Sequence, residues 1–116
     1  MVQMSGIYQG EKRCEMTHGP SQANLQTDAP RDNHGKGEAF SPTDMVGAAL
    51  ATCAITTMAI FADKEGVDLK GSHFTVSKEM QVSPRQISRL TVQIHLPKFV
   101  SAEQRLRFEE IGRNCP

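Results

Sequence analysis

Residues 45–62 are the longest uncharged run in the chain, eighteen residues with Cys53 near their middle. The flanks read as helix signals. Ser41 suits an N-cap and Pro42 the first helical position, while Asp44 completes a capping box and favours the positive end of the dipole. After Asp63, Lys64 and Glu65, Gly66 is placed to end the helix. At about six turns, such a helix is nearly as long as a small domain is wide. The rest of the chain has to pack around it.

Eighteen uncharged residues is about the threshold for a membrane span. Against a span stand the run's Ala and Thr content, the absence of a flanking aromatic belt and a negative mean hydropathy of -0.41 for the whole chain. The expectation is therefore a helix buried all round in a soluble core or dimer, with no membrane partner. A length of 116 residues supports one domain, 1–116, with a single core. Lys and Arg number 13, as do Asp and Glu, so no basic stripe recommends nucleic acid. The N-terminus lacks a charged start and apolar run, which makes the cytoplasm the default address. Three cysteines, Cys14, Cys53 and Cys115, are too few and odd in number for a disulfide framework.

Residues 2–27 alternate between Gly and Pro signals and predict a three-stranded antiparallel meander. In its second strand Arg13, Glu15 and Thr17 share one face and Cys14, Met16 and His18 the other. Residues 28–40, rich in Gly, Pro, Asn and Asp, read as a mobile loop, with Phe40 packing back on the helix start as a staple. Beyond the long helix, residues 73–82 and 87–96 form a hairpin about Pro84 and Arg85. Ser101 then caps a helix over 102–113 whose Leu106, Phe108 and Ile111 fall near one side.

Cys53 is either a small core residue or a nucleophile. Burial in apolar surroundings raises a thiol's pKa, and a mid-helix position gains little from the dipole, so reactivity requires a nearby cation. Arg13 is a candidate. Cys115 is either a tail cysteine or a resolving thiol, the latter requiring the two alpha carbons to approach within about 7 Å. Cys14 and His18 are a poor metal pair, being about 13 Å apart by strand rise, and no metal site or cofactor is expected.

Taken together, several motifs resemble the OsmC/Ohr family of osmotically inducible and organic hydroperoxide resistance proteins. They are residues 13–18 (Arg-Cys-Glu-Met-Thr-His), 27–30 (Thr-Asp-Ala-Pro), 37–53 from Gly37 to Cys53, and 114–116 (Asn-Cys-Pro). The resemblance spans essentially the whole chain. It implies an α+β, OsmC-like fold of antiparallel sheets around a long central helix, in an intertwined homodimer. It also implies a thiol peroxidase active in the oxidative stress response, with an organic hydroperoxide as substrate and a dithiol as reductant. By position, Cys53 would be peroxidatic, Cys115 resolving, and Arg13 the cation that stabilises the thiolate and orients the peroxide.

The family pattern is departed from twice. Its peroxidases place Glu directly after the helix-start Pro, to hold the arginine; here Thr43 follows Pro42, and Asp44 comes next. On an ideal helix Asp44 points about 180° from Cys53, which fits a capping role as well as an arginine-orienting one. Glu15 and Glu38 are the substitute carboxylates, Glu15 sharing a strand face with Arg13. Relatives also continue beyond the Cys-Pro with a histidine-containing stretch and a final strand, so the chain reads as shortened at its C-terminus. The same fold without turnover would be a small-molecule-binding or redox-sensing module.

Overall fold

The computed structural model describes all residues from Met1 to Pro116. It divides into two units, Met1–Met45 and Val46–Pro116. In the first, β1 (Met4–Gly10), β2 (Arg13–His18) and β3 (Asn24–Asp28) form the expected antiparallel meander in sequential order. The register sets Tyr8 opposite Cys14, Arg13 opposite Asp28 and Cys14 opposite Thr27. The first turn runs through Gly10, Glu11 and Lys12, all at positive φ. Only the glycine adopts that backbone without steric cost.

After β3 comes a short 3-10 turn, Arg31–Asn33. The surrounding segment, expected to be mobile, is cross-tied at several points. The Asp28 N–H donates to the Phe40 carbonyl at 3.1 Å, Gly37 to Ala29 at 3.1 Å and Gly35 to Pro30 at 3.0 Å. Glu38 N–H donates to the Asp28 carboxylate at 3.0 Å. A Cβ at Gly35 would lie 1.8 Å from the Ala29 carbonyl oxygen, so no other residue fits that crossing. Composition signalled a loop correctly, but the segment satisfies its own backbone groups by closing on itself. Phe40 is exposed, and its carbonyl is what ties it in.

The long helix is α1 (Pro42–Lys64). Ser41 is buried and closes the expected capping box: its hydroxyl accepts from Asp44 N–H at 3.1 Å, and its own N–H donates to the Asp44 carboxylate at 2.9 Å. At the other end Gly66 takes φ 71, while Gly66 N–H reaches Asp63 and Val67 N–H reaches Ala62. That pair of bonds is a Schellman motif.

In the second unit α1 buries Gly47, Ala51, Ala54, Met58 and Ala62, a stripe at spacings of three and four. The hairpin of β4 (His73–Gln81) and β5 (Gln86–His95) pairs Phe74 with Ile94 and Val76 with Val92. Its half-buried and exposed residues alternate along both strands. A Cβ on Gly47 would meet Val76 and Leu90 at 3.2 and 3.3 Å, so α1 lies close on the hairpin there. α2 (Ala102–Arg113) starts at a second capping box, between Ser101 and Gln104. Met58, Ala62, Leu69, Val100 and Phe108 form the core of this unit.

In the single chain α1 is covered on one side and Val46, Leu50, Ile60 and Phe61 are exposed, so burial all round is left to the dimer alternative. One hairpin and one short helix cover a single side of a cylinder about 10 Å wide. By length and composition alone, α1 is apolar enough to cross a membrane. Leu106 is exposed too, because Phe108 and Gly112 form the buried side of α2.

Candidate redox site

Within the second unit, α1 and α2 bring two of the three cysteines together. All three are free thiols and half-buried. The Cys115 side chain is hydrogen-bonded to Cys53, 62 residues earlier in the chain (115 − 53). Gly112 lies where α2 packs against α1. A Cβ there would stand 2.4 Å from Met58 Cε and 3.3 Å from Met58 Cγ, so α2 closes on α1 where it lacks a side chain. The end of α2 then tightens, with Asn114 N–H donating to Ile111 and Cys115 N–H to Gly112. Cys115 is thereby held just past the helix.

The Cys53 contact pushes the Cys115 thiol above its ordinary pKa, first through the hydrogen bond, then through desolvation and the charge of Cys53. Thr57 Oγ1 donates to the Cys53 carbonyl at 2.8 Å, which satisfies that hydroxyl within the helix.

Cys115 also lines a cavity of about 650 Å³. One wall is Leu50, Ala54 and Met58 of α1, and another is Leu90, Val92, Ile94 and Leu96 at alternating positions along β5 and just past it. Arg105, Glu109 and Arg113, at i, i+4 and i+8 on α2, form a polar edge. Arg113 donates to Glu109 at 2.8 Å, while Arg105 donates to the Val100 and Pro97 carbonyls. Size and lining suit a small organic molecule with an apolar body and a polar end. Sequence reading missed this edge, since a charged face on α2 looks like an ordinary solvated one.

Arg13 belongs to the first unit. Its Nη1 stands 3.9 Å from Glu38 Oε2, an ion pair longer than a hydrogen bond. Of the three candidate carboxylates, Glu38 is the one paired with Arg13. Asp44 caps α1, and Glu15 makes no ion pair with Arg13. A fourth carboxylate, Asp28, lies directly opposite Arg13 in the sheet and is fully buried. The sequence presented Asp28 only as a turn residue before Ala29 and Pro30, and nothing local announced its burial.

An α+β chain in which a three-stranded meander feeds one long helix, followed by a hairpin and a shorter helix that delivers a second thiol to the first, defines the OsmC-like class of fold. A family model described as OsmC-like protein matches residues 35–116. The structure of a Psychrobacter arcticus protein, provisionally described as an osmotic stress induced and detoxification response protein, matches with a TM-score of 0.95 and 35% identity. That match covers 100% of this chain and 85% of the other. The chain belongs to the OsmC family. The organic hydroperoxide resistance protein OsmC of Legionella pneumophila has the same fold, with a TM-score of 0.72, 17% identity and coverage of 100% and 85%. So does the organic hydroperoxide resistance protein OhrB of Bacillus subtilis, with a TM-score of 0.64, 14% identity and coverage of 100% and 86%. A search of curated sequences finds no match.

Proposed function

We propose that the protein is a thiol peroxidase that reduces organic hydroperoxides. The observation that carries this reading is the hydrogen bond between Cys115 and Cys53, with Cys115 lining a cavity of two apolar walls and a charged edge. In the first step the Cys53 thiolate attacks the distal oxygen of the hydroperoxide. The O–O bond breaks, the alkoxide leaves and takes up a proton as the alcohol, and Cys53 becomes a sulfenic acid. In the second step the Cys115 sulfur attacks the Cys53 sulfur, the sulfenic hydroxyl leaves as water, and a disulfide forms. A dithiol then reduces the disulfide by exchange. The family resemblance is what gives Arg13 the role of stabilising the thiolate and orienting the peroxide, a role suited to a permanently charged planar group.

The apolar lining favours a substrate with a hydrocarbon tail over hydrogen peroxide. The exposed Val46, Leu50, Ile60 and Phe61 of α1 support assembly as a homodimer, since a bare apolar face of this kind marks an interaction surface. The cytoplasm, where dithiol reductants keep thiols reduced, is the compartment this chemistry requires. The cavity also suits a second reading, a binding or sensing module in which the thiol pair is oxidised without turnover.

The test is consumption of tert-butyl hydroperoxide and of hydrogen peroxide, with a dithiol reductant, by the wild type and Cys53→Ser. The wild type is expected to turn over the alkyl peroxide faster and Cys53→Ser to be inactive. Equal activity in the two proteins would sink the peroxidase reading. A wild type that forms the disulfide once and then stops would favour the sensing module.

A further inference from the structure

We propose that Asp28 is a positioning residue for Arg13: in the reactive state the Arg13 guanidinium docks on the buried Oδ1 of Asp28, and Glu38 closes the seat from the solvent side. The inference rests on Arg13 being the activating cation. It adds a carboxylate from β3, whose place opposite the arginine is set by strand register.

The argument starts from two complementary deficits. Asp28 is fully buried, and its Oδ1 has no hydrogen-bond partner. Oδ2 is engaged by the Glu38 N–H at 3.0 Å. Buried carboxylate oxygens are rarely left unpaired, because the lost hydration is not regained, and an orphan of this kind marks a functional or strained position. The Arg13 guanidinium has the opposite lack. Its ion pair with Glu38, at 3.9 Å, is too long for a hydrogen bond, and about a quarter of its side chain, 26%, is exposed. Arg13 and Asp28 are directly paired across β2 and β3, so their side chains leave the same sheet face about 5 Å apart at Cβ. The residue short of an acceptor thus faces the acceptor short of a donor.

Glu38 connects the two. Its backbone holds Oδ2 of Asp28 while its carboxylate faces Arg13. The closed segment that carries it, tied by Gly37 to Ala29 and by Asp28 to Phe40, fixes both contacts at once. Docking on Oδ1 gives the guanidinium an acceptor buried in low dielectric, which restricts its orientation more than the exposed Glu38 carboxylate does.

The discriminating variant is Asp28→Asn. The amide oxygen still accepts from the Glu38 N–H, so the segment stays closed, while the charge that would seat Arg13 is lost. The experiment is a double-mutant cycle on the full chain with Arg13→Ala, reading kcat/KM for tert-butyl hydroperoxide and the pH dependence of Cys53 alkylation. Asp28→Asn is expected to lower kcat/KM about tenfold in the wild-type background, the scale of one charge-assisted hydrogen bond, and to shift the alkylation profile to higher pH. In the Arg13→Ala background it is expected to change neither. An equal loss in both backgrounds makes Asp28 a structural clamp only and overturns the proposal.

A second readout needs no turnover. The Arg13 Nε–H proton, followed by NMR, is expected to be protected from exchange in the wild type and unprotected in Asp28→Asn; identical exchange in the two overturns the seat. A wild type that consumes no peroxide removes the peroxidase reading, and this second readout still decides the seat. If Asp28→Asn does not fold, the same exchange measurement is made on Glu38→Gln. Protection kept there supports Asp28 as the inner partner, and protection lost assigns the seat to Glu38 alone.

Discussion

Cys115, one residue past the C-cap of α2, is hydrogen-bonded to Cys53 in the middle of α1. The two thiols are therefore neighbours in the folded chain. Oxidation with diamide or one equivalent of an alkyl hydroperoxide is expected to link Cys53 to Cys115 and leave Cys14 alkylatable, as read by peptide mass spectrometry. The bridge closes a loop of about 60 residues, so in the chain-entropy model the oxidised protein unfolds at higher urea. A crosslink containing Cys14 would contradict this pairing.

The raised pKa of Cys115 has a defined sign in stability. The folded state holds this proton more tightly than the unfolded state, first through the hydrogen bond with Cys53 and then through desolvation. The stabilisation is full below the ordinary thiol pKa of about 8.5 and is lost as pH rises through the higher folded value. The difference in urea midpoint between wild type and Cys115→Ala is therefore expected to shrink between pH 8 and pH 10. A difference that grows over that range would contradict a raised Cys115 pKa in the folded state.

Gly35→Ala tests the closed segment over residues 29–40. The new Cβ would meet backbone, the Ala29 carbonyl at 1.8 Å, so the segment has to open rather than rotate a side chain. A loss of about 1–3 kcal/mol is expected. Peroxide turnover should fall with it, because the same segment holds Glu38 against Arg13. Wild-type stability in this variant would mean the closure is not required.

Phe108→Ala empties the largest fully buried side chain, next to Met58 and Leu69 in the core of the second unit. Urea unfolding is expected to show a loss of about 3–5 kcal/mol. Leu106→Ala, two residues earlier on the exposed side of α2, serves as the contrast and should change stability little if that side is free in the assembled protein.

Ile60→Glu together with Phe61→Glu places two charges on the uncovered side of α1, where the native residues are 54% and 41% exposed. If that side is the homodimer interface, sedimentation should show a dimer in the wild type and a monomer in the variant. A monomeric wild type would remove the dimer from the proposed function.

The chain-local signals were legible to within a few residues. Ser41, Pro42 and Asp44 start α1, Gly66 ends it, Ser101 caps α2, and strand alternation gives the hairpin. Each rests on backbone geometry and hydrogen bonds set by residues three or four positions apart, so sequence order contains what is needed. The resemblance to the family pointed to Cys53 and Cys115 for the same reason, through motifs fixed along the chain.

What tertiary structure decided was everything that depends on distance across the chain. Which side of α1 is covered follows from the size of the hairpin and of α2, not from an apolar run that looks alike on every face. The contact between Cys53 and Cys115 depends on α2 packing back on α1, where Gly112 lies against Met58. The burial of Asp28 opposite Arg13 depends on strand register and on Glu38 and Phe40 folding back over β3. Burial and pairing are sums over neighbours from several elements, and no single stretch of sequence carries that sum.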